Sequence, residues 1–226
     1  MALSYREIAK MIDHSLLRPT LTDSELWEGC RLAVKYDVAS VCIMPYAARQ
    51  CAELLKGTSV EPSTTIGFPH GGHSAKAKLE EARVALSDGA TELDMVVNVS
   101  QVLSGAYAAV TAEIRDILSA VRERGAKLKV IFENCYLARE HKLALCQICG
   151  ELNVDWVKTS TGYGSGGATI SDLKLMIENV PPEVQVKAAG GIRTLDSLLE
   201  VRALGVTRVG ASATGAILDE LRGRIG

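Results

Sequence analysis

Neither sign of charge dominates this chain: 25 lysines and arginines stand against 27 aspartates and glutamates in 226 residues, a formal net charge of −2. That balance gives no electrostatic footing for nucleic acid or a membrane surface, and it favours small-molecule partners. Long apolar runs are missing too. No window approaches ~18 uninterrupted apolar residues, and Ala2 to Lys10 is mixed and charged. The reading is a chain without signal peptide or membrane span, working in the cytoplasm. The six cysteines are then expected as free thiols. Cys146 and Cys149 form a C-x-x-C pair, but no second pair completes a zinc site. Two turns of a core-facing helix are preferred over a metal or redox site. No Pro/Ser-rich linker or low-complexity stretch divides the chain, and 47% hydrophobic residues can bury a sizeable core.

What the chain does have is a pattern that recurs eight times: a short apolar run followed by a longer segment with 3.6-residue periodicity. The runs predict strands over Met11–Ser15, Ser40–Met44, Thr64–Phe68, Glu92–Val97, Lys127–Phe132, Val154–Lys158, Val184–Ala188 and Thr207–Gly210. Helices are predicted over Ser24–Tyr36, Pro45–Leu55, Ser74–Ser87, Tyr107–Arg124, Arg139–Leu152, Ile170–Asn179, Leu195–Ala203 and Ala213–Arg222. Thr22 with Glu25, and Thr194, are the expected helix caps. Strand alternating with helix argues a parallel sheet covered by helices. Eight units in this length favour a closed (β/α)8 TIM barrel, one domain over residues 1–226, with an extra helix in Met1–Lys10. Chemistry in such a barrel sits at the carboxyl ends of the strands.

Charged residues stand there that barrel packing does not explain: Asp13, Asp94, Lys129, Lys158 and Lys187, with Cys42 and, beyond Lys129, Glu133. A lysine among apolar neighbours on a central strand must bury its ammonium or place it in the barrel mouth. Burial disfavours the charged form, and a second cation nearby lowers the amine's pKa further. That is the environment in which an amine attacks a carbonyl at neutral pH. Lys158 and Lys187 end consecutive strands and are therefore expected as near neighbours, since strands lie ~5 Å apart. Snorkelling to solvent is the plainer alternative for any one of them. Asp94, flanked by apolar residues, reads either as the buried partner of Lys129 or as a general acid/base. Both readings can hold together.

Glycines mark the other end of the candidate site. Thr159 to Gly167 follows the sixth strand, Gly190-Gly191 the seventh, and Gly210-Ala211-Ser212 closes the eighth. Backbone N–H groups in such loops, backed by a helix N-terminus, suit a phosphate, and Arg193 adds a charged donor. Tight βα turns alone are the plainer reading. Gly162, Gly164 and Gly167 also spell G-x-G-x-x-G, but in the sixth unit rather than opening a nucleotide-binding half. His70 and His73 have H-x-x-H spacing in a loop and lack further metal ligands, so a loop or cap role is expected. His14 says little alone. Trp27 and Trp156 read as packing residues.

The residues together resemble the deoxyribose-phosphate aldolase family, the class I aldolases. The resemblance spans nearly the whole chain. It is carried by Ile12-Asp13-His14-Ser15-Leu16-Leu17, Val41-Cys42, Ile66-Gly67-Phe68-Pro69, Glu92-Leu93-Asp94-Met95-Val96-Val97-Asn98 and Leu128-Lys129-Val130-Ile131-Phe132-Glu133. Val157-Lys158-Thr159-Ser160-Thr161-Gly162 and Val186-Lys187-Ala188-Ala189-Gly190-Gly191-Ile192-Arg193 complete it. The resemblance implies that Lys158 forms the imine, Lys187 depresses its pKa, and Asp94 with water and Lys129 relays protons. It implies that Asp13 and Cys42 line the pocket. It assigns the phosphate end to Thr161, Gly162, Gly190, Gly191, Arg193, Gly210 and Ser212. The implied reaction is reversible cleavage of 2-deoxyribose 5-phosphate to acetaldehyde and glyceraldehyde 3-phosphate, with no metal or organic cofactor, in a homodimer or larger assembly. Met44, Asn134, Ala211 and Ala213 depart from residues usual in the family, and the sequence ends at Gly226 without the tyrosine-ended tail of some members. A related aldolase of another sugar phosphate, or a non-catalytic sugar-phosphate-binding barrel, are the alternatives.

Overall fold

A computed structural model describes residues 4–225. Eight parallel strands close into a barrel in the order in which they occur along the chain: β1 (Ile12–Leu16), β2 (Ser40–Ile43), β3 (Glu61–Ile66), β4 (Glu92–Val96), β5 (Lys127–Ile131), β6 (Trp156–Lys158), β7 (Gln185–Ala189) and β8 (Arg208–Ala211). Helices α1 (Tyr5–Ala9), α2 (Asp23–Tyr36), α3 (Ala48–Leu55), α4 (Ala75–Ser87), α5 (Val99–Leu103), α6 (Tyr107–Glu123), α7 (Arg139–Leu152), α8 (Ile170–Asn179), α9 (Leu195–Ala203) and α10 (Thr214–Ile225) alternate with them. This is the TIM barrel that the alternation predicts. Of the segment assigned to an extra helix, Met1 to Leu3 lie outside the described residues, and Tyr5–Ala9 forms the helix. Among the described residues no helix is long and apolar enough to cross a membrane.

Local chemistry sets the boundaries. Thr22 caps α2 through a capping box with Glu25, whose carboxylate accepts the Thr22 N–H at 2.7 Å, and Thr194 caps α9 by accepting from the Ser197 N–H. Strand β3 begins three residues earlier than the apolar run indicates, because Pro62 is admitted. Proline is a poor strand residue for want of an N–H, yet its carbonyl still accepts the Thr91 N–H at 2.9 Å. Strand β6 starts at Trp156 rather than Val154, since Asn153 takes the left-handed conformation and the Val154 N–H returns to the Cys149 carbonyl to close α7. Helix α5 is an addition, capped by the Asn98 side chain. Cys146 and Cys149 are buried on α7; burial pushes the Cys146 thiol up to about 12 and the Cys149 thiol well above its ordinary value.

The alternation of strand side chains separates two interiors. Ile12, Val41, Leu93, Met95, Val130, Val157, Val186 and Val209 belong to one apolar cluster with the helices, among them Leu26, Ile114, Leu145 and Leu198. The intervening residues point inward, and there hydrocarbon gives way to charge. Asp13, Ser40, Glu92, Asp94, Lys129, Lys158, Lys187 and Arg208 are all buried and hydrogen-bonded to one another.

His14 belongs to the outer layer. It is 5% exposed, with Nδ1 2.8 Å from the Thr214 hydroxyl of α10, and burial lowers its pKa to about 4. The unfolded chain therefore binds a proton between about pH 6.5 and about pH 4 that the folded chain refuses, so stability falls as pH falls through that window. The loss expected from this group between neutral pH and about pH 5 is ~2 kcal/mol. Denaturant unfolding at the two pH values checks it. In a His14→Gln variant the pH dependence should flatten by about this amount; a slope equal to the wild type's would remove His14 as its source.

Candidate active site

Register places the reactive groups. Lys158 pairs with Lys187 across β6 and β7, and Asp94 pairs with Lys129 across β4 and β5. Asp94 is the hub: its Oδ1 accepts from Lys129 at 2.9 Å and its Oδ2 from both Lys158 and Lys187 at 2.7 Å. Burial alone would raise the Asp94 carboxyl, but the ammoniums of Lys129, Lys158 and Lys187 outweigh it and hold the group well below the usual carboxylate range. Asp94 is therefore ionised at neutral pH.

The lysines divide. Burial is the largest influence on each and acts downward. For Lys129 it is overcome by Asp13, Asp94 and Glu92, and for Lys187 by Asp13 and Asp94, so both amines are held above their ordinary value. For Lys158 burial prevails: Asp94 opposes it, Lys187 adds to it, and the amine is pushed down. The difference is geometric. Lys129 and Lys187 each lie against more than one carboxylate, whereas among the described residues Lys158 has only Asp94 within ion-pair distance, and shares it.

Lys158 also opens onto a cavity of about 430 Å³ at the barrel mouth. Thr161, Gly162, Gly190, Gly191, Arg193, Gly210 and Ser212 line the same cavity, together with Arg18 and Tyr163. The glycines there are needed for backbone reasons. Gly190 has φ +83°, and a Cβ on it would come within 2.8 Å of the Gly167 Cα, so the β7 and β6 loops pack together backbone to backbone. Asp13 and Cys42, in contrast, are sealed under the mouth rather than lining it. Asp13 accepts from Ser40 at 2.7 Å and Arg208 at 2.6 Å, and from Lys187. The Cys42 thiol is buried beside these charges; burial, then Asp94, pushes it up.

The site also holds contacts that the sequence does not announce. Arg208 joins Asp13 to Glu92, with 3.0 Å to the latter, and stacks on the Trp156 ring at 4.8 Å. Each of Glu92, Arg208 and Trp156 lies two residues before a group or glycine that was singled out, which on a strand means the same face. Glu133, left-handed at φ 57°, accepts from the Thr161 N–H at 3.2 Å and from its hydroxyl, fixing the β6 loop to the end of β5. Tyr163 donates to the Leu17 carbonyl at 2.7 Å and meets Phe68 edge-on at 5.5 Å. It thus stands between the polar mouth and a second, apolar cavity of about 490 Å³ bordered by Met44, Pro45, Tyr46 and Phe68. His70 and His73 are exposed, and among the described residues no three His, Cys, Asp or Glu side chains are grouped to hold a metal.

A closed barrel whose mouth holds a buried amine pushed towards its neutral form, hydrogen-bonded to an ionised carboxylate, is the equipment of an aldolase that works through a lysine imine. The comparisons agree with that class. Residues 8–218 match the model of the DeoC/LacD family aldolases. A deoxyribose-phosphate aldolase from Rhodopirellula baltica is 59% identical over 222 residues, covering 98% of this chain and 92% of that one. One from Caldanaerobacter subterraneus subsp. tengcongensis is 45% identical over 218 residues, covering 96% and 94%. The solved structure of the tetrameric deoxyribose phosphate aldolase from Aeropyrum pernix superposes with a TM-score of 0.90 at 29% identity, covering 97% of this chain and 92% of that one. This chain belongs to the DeoC/LacD family and is a class I aldolase.

Proposed function

We propose that the enzyme reversibly cleaves 2-deoxyribose 5-phosphate to acetaldehyde and glyceraldehyde 3-phosphate through an imine on Lys158. The observation that carries the reading is the position of Lys158: among the described lysines of the barrel interior it alone borders the cavity and is pushed towards the neutral form. Its Nζ attacks C1 of the open-chain sugar, and loss of water leaves an iminium. Asp94, with Lys129 and a water, takes the C3 hydroxyl proton. The C2–C3 bond then breaks, its electrons passing into the iminium to give an enamine. Protonation at C2 and hydrolysis release acetaldehyde and restore the amine. No metal or organic cofactor is required, since the iminium is itself the electron sink. Thr161, Gly162, Gly190, Gly191, Arg193, Gly210 and Ser212 hold the phosphate at the opposite end of the cavity, where loop N–H groups and a guanidinium match its charge. Asp13 and Cys42 support the site from beneath. The single barrel is the whole catalytic unit, acting in the cytoplasm as a homodimer or larger assembly.

Incubation with acetaldehyde and borohydride tests the chemistry. One ethyl group, about 28 Da, should appear on Lys158 in a peptide map; an unmodified Lys158 under conditions of turnover would refute the imine.

Two variants test the remaining roles. Lys187→Leu removes a cation that disfavours the protonated form of Lys158, so the acid limb of the kcat/KM profile should move to higher pH. A limb at the wild-type pH would remove this role from Lys187. Gly190→Ala introduces a Cβ into the Gly167 backbone at a left-handed position. The KM for the phosphorylated sugar should rise ~10-fold or more, with acetaldehyde trapping on Lys158 little changed. Equal damage to trapping would place Gly190 in the imine half of the site.

A further inference from the structure

We infer that Arg208 and Glu92, which border neither the cavity nor Lys158, are positioning residues of the imine chemistry: their charges, in the layer beneath the mouth, govern how readily Lys158 gives up its proton. The inference rests on the reading of Lys158 as the imine-forming amine.

The polar groups that point with Lys158 into the barrel interior are Asp13 from β1, Cys42 from β2, Ser63 and Thr65 from β3, Glu92 and Asp94 from β4, Lys129 from β5, Lys187 from β7 and Arg208 from β8. Arg18 and Arg193 stand at the mouth, and Glu133 lies beside Thr161. Among the described residues, one salt-bridged network beneath the mouth joins four cations to three carboxylates: Lys129, Lys158, Lys187 and Arg208 to Asp13, Glu92 and Asp94, with the Glu133 carboxylate outside it on Thr161.

Three of the cations are held by two or more carboxylates. Arg208 lies 2.6 Å from Asp13 and 3.0 Å from Glu92. Lys129 lies 2.6 Å from Glu92 and 2.9 Å from Asp94. Lys187 reaches both Asp13 and Asp94. Lys158 has, among the described residues, Asp94 alone. A buried cluster with one unmatched positive charge is strongly disfavoured, and it becomes neutral when its least-held cation releases a proton. That cation is Lys158.

Arg208 and Glu92 thus enter the chemistry through the charge count. Without the Arg208 charge, cations and carboxylates match, and Lys158 keeps its proton. Without the Glu92 charge, the excess grows, and Lys158 loses its proton more easily. Trp156 makes the count effective. Its ring covers Arg208 at 4.8 Å and lies 5.9 Å from the Lys129 ammonium, while its N–H is anchored to Thr207 at 3.0 Å. Few solvent dipoles can then reach the layer to screen it.

The test is the pH dependence, between about pH 5 and about pH 9.5, of two quantities: kcat/KM for cleavage of 2-deoxyribose 5-phosphate, and the rate of reductive trapping of acetaldehyde on Lys158. Arg208→Met should move the acid limb up by about one pH unit, the effect of one charge two strands (~10 Å) away at an effective dielectric constant of ~20. Glu92→Gln should move it down by a similar amount, and the double variant should return it close to the wild-type position. Arg208→Lys keeps the charge and loses the forked geometry, so its limb should stay in place. Coincident limbs in folded single variants would overturn the inference. So would an Arg208→Lys limb displaced as far as that of Arg208→Met, because geometry rather than charge would then be responsible. If Arg208→Met does not fold, Glu92→Gln, which preserves size, decides alone. Failure of the wild type to trap acetaldehyde on Lys158 would strike the proposed function instead, and is read from the same samples.

Discussion

Replacing Lys158 with alanine is expected to lower kcat for the cleavage reaction by ~10⁴-fold or more while the barrel stays folded. No neighbour can take its place. Lys129 and Lys187 are held in the protonated form by their carboxylates, and an ammonium has no lone pair for attack. The fold should survive because the removed side chain is the cation with a single, shared partner. Its loss leaves matched charges in the cluster and enlarges a cavity already open to solvent rather than creating a sealed void. Thermal unfolding should therefore occur within a few degrees of the wild type, or above it. Residual turnover above about one per cent in a folded variant would mean that another nucleophile carries the reaction.

Asp94→Asn should behave differently. Asp94 accepts from three ammoniums, so removing its charge leaves Lys129 and Lys187 each short of a buried partner. Breaking such a network costs about 3–5 kcal/mol, roughly a 10 °C fall in Tm for a chain of this size. Turnover should fall by ~10²–10⁴-fold through loss of the base. Imine formation should persist, because the excess of positive charge around Lys158 has increased and the amine is more readily neutral. The informative result is a large loss in kcat with acetaldehyde still trapped on Lys158. Parallel loss of both would assign Asp94 to imine formation instead of proton transfer.

The barrel was legible because its outer layer follows simple periods. Alternating apolar residues on each strand and 3.6-residue stripes on each helix mark eight repeats, and the bounds of α7, α8 and α9 agree with the periodic segments to the residue. Misreadings fell where a local rule was overridden. Pro62 is tolerated in β3, and Asn153 adopts a left-handed turn that delays β6. Helix α5 is too short to show a period. The lysines and Asp94 stood out because charge flanked by apolar residues on a central strand needs explanation. Glu92 and Arg208 are equally anomalous, but they lie one pleat below the strand ends, where chemistry was not sought. The depth of Asp13 was not legible at all. It depends on how β1 aligns with β2 and β8, pairing Asp13 with Ser40 on one side and Gly210 on the other, and that stagger is a property of the closed barrel rather than of any one strand.

The separation of an apolar outer shell from a charged inner layer has an evolutionary corollary. Mutations in the shell, at Val157 or Leu93 for instance, are screened by whether the chain folds at all, whereas those in the inner layer first alter acidity and only afterwards shape. A lineage can therefore retune the working pH of this enzyme through single exchanges among the inward-facing charges, with the helices that encase the barrel left as they are.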